Sequence, residues 1–133
     1  MIYLRRECHT LALKFGLCID EAAFKKEMKC LEINDNEALK NRHSSATTHF
    51  IERQGQNEIL AIVYLPPNSD CTLIQHYALL VHEGIHIWQR HIELIGENDP
   101  SHEYEAYSVQ HISQELMLAF DKLVAKKKLK FAK

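Results

Sequence analysis

The stretch Val81-His82-Glu83-Gly84-Ile85-His86-Ile87-Trp88 decides how the rest of this chain is read. It lies in a run without proline from Cys71 to Asp99, where Tyr77, Val81, Gly84, Trp88, Ile92 and Ile95 recur at three- and four-residue intervals. That spacing predicts one long amphipathic helix. On it His82 and His86 are one turn apart, off the apolar stripe, with Cβ atoms roughly 5–6 Å apart. Two imidazoles so placed can bind a single Zn²⁺ at about 2.0–2.1 Å. Glu83 lies about 100° round the helix from His82, badly placed to ligate but well placed to take a proton from a water at the metal. The residue set predicts a metal-dependent hydrolase.

The flanks bound the helix to residues 70–96. Before it stand Pro66-Pro67-Asn68-Ser69-Asp70, with Asp70 or Thr72 as the N-cap, and after it come Gly96 and Asn98-Asp99-Pro100. A second helix is expected over 99–128, opening with Asp99 as N-cap and Pro100 at its first position, and continuing through Ile112, Leu116 and Phe120. Glu103 and Glu105 in its first turns are candidates for a third metal ligand. Two residues apart on a helix, only one of them can face the metal.

A His-Glu-x-x-His helix, a short connection and a helix opening with Glu103-Tyr104-Glu105-Ala106 together resemble the gluzincin class of zinc metallopeptidases, over roughly residues 45–115. Within that class the chain is most similar to minimal, intracellular, phage- or prophage-associated metallopeptidase-like proteins. The resemblance implies one Zn²⁺ held by His82, His86 and Glu103, with Glu105 as the rival third ligand, and Glu83 as general base. Tyr107, at i+4 from Glu103, is then a hydrogen-bond donor to the transition state, with His102 and Tyr104 as further candidates. A peptide or protein is the implied substrate.

The remaining segments read as support. Residues 3–16 and 20–41 carry helical patterns, the second opening at Asp20. Residues 46–54 and 58–65 are strand-like around Gly55-Gln56-Asn57, a β-hairpin whose second strand, apolar from Ile59 to Val63, is buried on both faces. The expected fold is α+β: a minimal zincin-like domain, mostly helical, with a small antiparallel hairpin beside the active-site helix. Residues 1–133 form a single domain, made of a helical scaffold (1–44), the hairpin (45–66), the metal helix (70–96) and the third-ligand helix (99–128). By the same resemblance, the hairpin lines the cleft and pairs with an extended substrate.

Composition agrees with a compact cytoplasmic protein: 46% hydrophobic and 26% charged residues, net charge -2, and no apolar stretch able to cross a membrane. Cys8, Cys18, Cys30 and Cys71 are scattered without a C-x-x-C pair, which argues for reduced thiols rather than disulfides or a four-cysteine structural zinc site. His9, His43, His49, His76, His91 and His111 read as surface or hydrogen-bonded core histidines. The basic run Lys126-Lys127-Lys128-Leu129-Lys130 complements the negative end of a helix dipole, and a nucleic-acid contact is the lesser reading. One alternative from another class stands beside the hydrolase: a catalytically idle zinc-binding or protein-interaction module, phage-related, that keeps the zincin fold. Glu83 favours activity, since a binder has no chemical need for it.

Overall fold

Apolar at every position from Ile59 to Val63, the strand Glu58–Tyr64 has two cores to fill. The computed structural model describes residues 1–3, 11–33, 45–53, 55 and 58–133. In chain order its elements are β1 (Ile2–Tyr3), β2 (Lys14–Cys18), α1 (Glu21–Cys30), β3 (Thr47–Arg53), β4 (Glu58–Tyr64), α2 (Leu73–Ile95) and α3 (His102–Lys127). The strands form a sheet in the order β1-β2-β4-β3, with β2 parallel to β4 and the outer pairs antiparallel. Ala61 and Val63 of β4 face the larger core with α2 and α3, while Leu60 and Ile62 face a smaller one with Phe24 and Met28 of α1. The sheet is therefore a middle layer, and period-two alternation sends successive side chains to opposite cores.

An α+β architecture and the β3–β4 hairpin match the sequence reading; the N-terminal third does not. A helix expected over residues 3–16 is replaced, where the structure is described, by the strand at Ile2–Tyr3 and by β2. Phe15, Gly16, Leu17 and Cys18 are all buried, because β2 lies between β1 and β4 with helices on both faces. Such a strand reads as a continuous apolar run, which periodicity cannot distinguish from a helix segment. Gly16 serves the pairing: a Cβ there would stand 3.0 Å from the carbonyl oxygen of Ile2. The helix expected over 20–41 begins as read, with the Asp20 carboxylate accepting from Ala23 N at 2.7 Å, but it ends at Cys30. Glu32 then takes a left-handed φ of 58°, and the rest of that expected helix lies outside the described residues.

The two long helices obey their local signals. Thr72 caps α2 through a reciprocal pair, Gln75 N to Thr72 Oγ1 at 3.1 Å and Thr72 N to Gln75 Oε1 at 2.7 Å. Gly96 closes it in the left-handed conformation, φ 69°. The cap of α3 is Ser101, whose hydroxyl accepts from Tyr104 N at 3.2 Å, so the expected Asp99 cap and Pro100 first position fall just outside the helix. At Gly84 the helices approach closely: a Cβ there would stand 3.2 Å from Ser113 Oγ and 3.4 Å from Ile112 Cγ2. Near the other end of the contact Tyr77 donates to Asp121 at 2.6 Å, and burial, followed by that carboxylate, pushes the phenol up to about 12. No helix among the described residues is long and apolar enough to cross a membrane.

Candidate metal centre and active site

One flank of α2 carries the chemistry. Its buried residues, His76, Leu80, Glu83, Gly84, Ile87, Trp88 and His91, form a broad stripe against the sheet and α3, leaving His82 and His86 exposed on the other side. Their Nε2 atoms stand 3.1 Å apart, with ring centroids separated by 4.9 Å and the planes at 78°. His86 Nδ1 lies 3.3 Å from Gln89 Oε1. An amide oxygen only accepts, so a His86 proton on Nδ1 would be donated to it, and the Nε2 lone pair would then face His82. A ligating histidine needs that tautomer, with its second nitrogen donating to an outer partner. Two nitrogens bound to one tetrahedral ion at about 2.0–2.1 Å would themselves stand about 3.3 Å apart. The imidazole pair fits a shared cation.

Glu83 has the opposite environment from its neighbour His82. It is 4% exposed and is the one acidic side chain among the buried polar residues described. Its Oε2 accepts from the hydroxyl of Thr48 on β3. The same strand face meets α2 again farther along, where Glu52 pairs with Arg90 at 3.2 Å and the Arg90 guanidinium lies 6.0 Å from the centre of the Phe50 ring. Thr48, Phe50 and Glu52 thus line the flank of α2 that bears the motif. No sequence signal marks Thr48, since its contact joins residues 35 apart in the chain. Strand alternation would have indicated which face it shares, but not which helix covers that face.

Neither expected donor in α3 joins the pair: among the described residues, no group of three or more His, Cys, Asp or Glu side chains is placed to share one ion. Glu103 and Tyr107 are exposed, Tyr107 by 65%, on the side of α3 away from the buried residues Ser108, Ile112 and Leu116. Glu105, exposed as well, stands three residues before Ser108 and seven before Ile112, on the stripe that faces α2. Its Oε2 accepts from Trp88 Nε1 at 3.3 Å. His102 is exposed in the first turn, whereas Tyr104 is engaged in the core, its hydroxyl 2.8 Å from His91 Nε2.

Two further histidines are structural. His91 Nδ1 accepts from Ala12 N at 3.1 Å, which ties the chain before β2 to α2. His76 reaches the Thr72 carbonyl with Nδ1 at 2.7 Å and accepts from Asn68 N with Nε2 at 3.0 Å, packed between Phe120 and Phe131. The thiols of Cys18, Cys30 and Cys71 are free, and burial pushes Cys18 up to about 12, far from a reactive thiolate. Cys8, His9 and His43 lie outside the described residues.

No protein-family model, no curated protein and no solved structure matches the chain.

Proposed function

We propose that this protein is a zinc-dependent hydrolase, a metallopeptidase of the zincin type acting on a peptide bond. The observation that carries the reading is the His82–His86 pair, with Nε2 atoms 3.1 Å apart and Gln89 Oε1 3.3 Å from His86 Nδ1. His82 and His86 would hold the ion together with a carboxylate from the first turns of α3. Glu103 is the ligand implied by resemblance. Glu105, the rival, has its carboxylate on Trp88, which points to the opposite side of α2 from the two imidazoles. A bound Zn²⁺ would supply Lewis acidity, polarising the scissile carbonyl and acidifying a water.

The protein's own groups would do the rest. The Glu83 carboxylate accepts the proton of the attacking water and returns it to the departing amine. Its burial between α2 and β3 keeps competing solvent away, while the exposed imidazoles leave the approach to the site open. Extended peptides suit the geometry because β3 is the last strand of the sheet among the described residues, paired with β4 on one side and running beside the motif face. Tyr107 is the proposed oxyanion donor carried by the resemblance, and it depends on the Glu103 face of α3 reaching the site.

Metal content of tag-free protein, measured together with turnover of a quenched peptide library, tests this reading. About one Zn²⁺ per chain with chelator-sensitive cleavage is expected. Stoichiometric zinc without cleavage by any peptide would make the chain a binding module, and zinc-free protein would remove the reading altogether.

A further inference from the structure

We propose that Thr48 is the positioning residue for Glu83: its hydroxyl, anchored to the sheet, holds the buried carboxylate in its working orientation. This rests on the hydrolase reading for its functional consequence, but the contact itself belongs to the fold.

A carboxylate buried without partners is costly, and it persists in a protein only when its oxygens are hydrogen-bonded. Glu83 is buried in this way, and Thr48 donates to its Oε2. The donor is rigid for two reasons. A β-branched side chain is restricted at χ1, and the Thr48 backbone pairs with Val63, a fully buried residue of β4. Glu83, by contrast, has a long side chain whose rotamers a helix does not fix. Binding one carboxylate oxygen therefore removes most of its freedom and leaves Oε1 for proton traffic. Misplacing a catalytic group by about an ångström can cost up to about a hundredfold in rate, so such a pin has a kinetic consequence that packing alone lacks.

A second contact of the same strand provides the control. Glu52 of β3 pairs with Arg90 of α2, two turns beyond Glu83, and Glu52 is largely exposed. A Glu52→Gln change loosens the docking of β3 on α2 without touching the Thr48 hydroxyl.

The test compares Thr48→Val, Thr48→Ser and Glu52→Gln in the zinc-loaded protein, following both kinetics and the Glu83 side-chain methylene signals by NMR. Thr48→Val should lower kcat at least about tenfold while KM stays within about twofold and zinc content is unchanged, and Thr48→Ser should recover to within about threefold; Glu52→Gln is read by NMR alone, where it should keep the wild-type Glu83 rotamer. In the spectra, Thr48→Val should convert one Glu83 rotamer with contacts to residue 48 into an averaged set, which Thr48→Ser reverses. A single unchanged Glu83 rotamer in Thr48→Val would overturn the proposal, as would Thr48→Ser behaving like Thr48→Val. If the wild-type protein has no turnover, the hydrolase reading fails, and the NMR comparison still decides whether Thr48 orders Glu83.

Discussion

Trp88 Nε1 donates to the Glu105 carboxylate across 3.3 Å, and the same indole lies edge-on to Tyr104, with ring centroids 5.0 Å apart. Two consecutive residues of the α3 first turns are thereby fixed to α2 on the side opposite His82 and His86. This contact sets which side of α3 faces α2, and it holds the Glu105 carboxylate away from the two imidazoles.

Glu105→Ala removes the acceptor of a core tryptophan and is expected to cost about 1 kcal/mol of stability, the usual net worth of one hydrogen bond. It should leave zinc near wild type, because Trp88 holds this carboxylate on the side of α2 opposite His82 and His86. Glu103→Ala, the ligand implied by resemblance, should leave stability within about 0.5 kcal/mol but weaken zinc by orders of magnitude, because two helical histidines alone make a poor site. Titration of both variants against a chelator of known affinity checks this. Zinc kept in Glu103→Ala and lost in Glu105→Ala would transfer the ligand role to Glu105.

For the imidazoles the expectation is simpler. His82→Ala and His86→Ala should each abolish zinc binding with little loss of fold, since both side chains are exposed. Gln89→Ala should weaken binding by about tenfold or more, as loss of an outer hydrogen-bond partner of a metal-bound histidine does. Metal analysis and circular dichroism read the two effects separately, and a His86→Ala protein that retains full zinc would remove the proposed centre.

Glu83→Gln preserves shape and can still accept from Thr48, so zinc content and melting temperature should stay near wild type while hydrolysis falls at least about 10²-fold. Loss of zinc comparable with that in His86→Ala would show Glu83 to be a ligand instead.

Trp88 is 4% exposed and packs against Tyr104 and His91. Trp88→Ala should therefore cost about 3–5 kcal/mol through the cavity it leaves. In the native protein the emission maximum should be that of a buried indole. A maximum typical of indole in water would contradict the packing of α2 on α3.

Acid stability should depend on Asp20. Lys127, whose Nζ donates to Asp20 Oδ2 at 2.7 Å, and then the N–H of Ala23, hold this carboxyl below its ordinary 3.8. A group depressed in the folded state stabilises above its unfolded pKa, and that contribution is lost as pH falls through the folded value. Asp20→Ala should thus destabilise at neutral pH, by about 1 kcal/mol for the lost helix cap, and should differ less from wild type in strong acid. Urea titrations at neutral and at strongly acidic pH measure the difference directly.

Local chemistry was legible without any structure. A helix start at Asp70 or Thr72, the Gly96 stop, the uninterrupted period of α2 and the i, i+4 spacing of His82 and His86 all act within a few residues, where helix geometry alone dictates which side chains meet. The hairpin was legible for the same reason, its two strands being joined by a short turn. Tertiary structure decided the rest. Whether Phe15-Gly16-Leu17-Cys18 becomes strand or helix depends on β1 and β4 arriving on either side of it, which no local preference encodes. The choice between Glu103 and Glu105 depends on the rotation of α3 about its own axis, set by Trp88, Gly84 and Ile112 packing between helices. Thr48 reaches Glu83 only because β3 docks on α2, a contact between residues distant in the chain that hydrophobic patterning permits but does not specify.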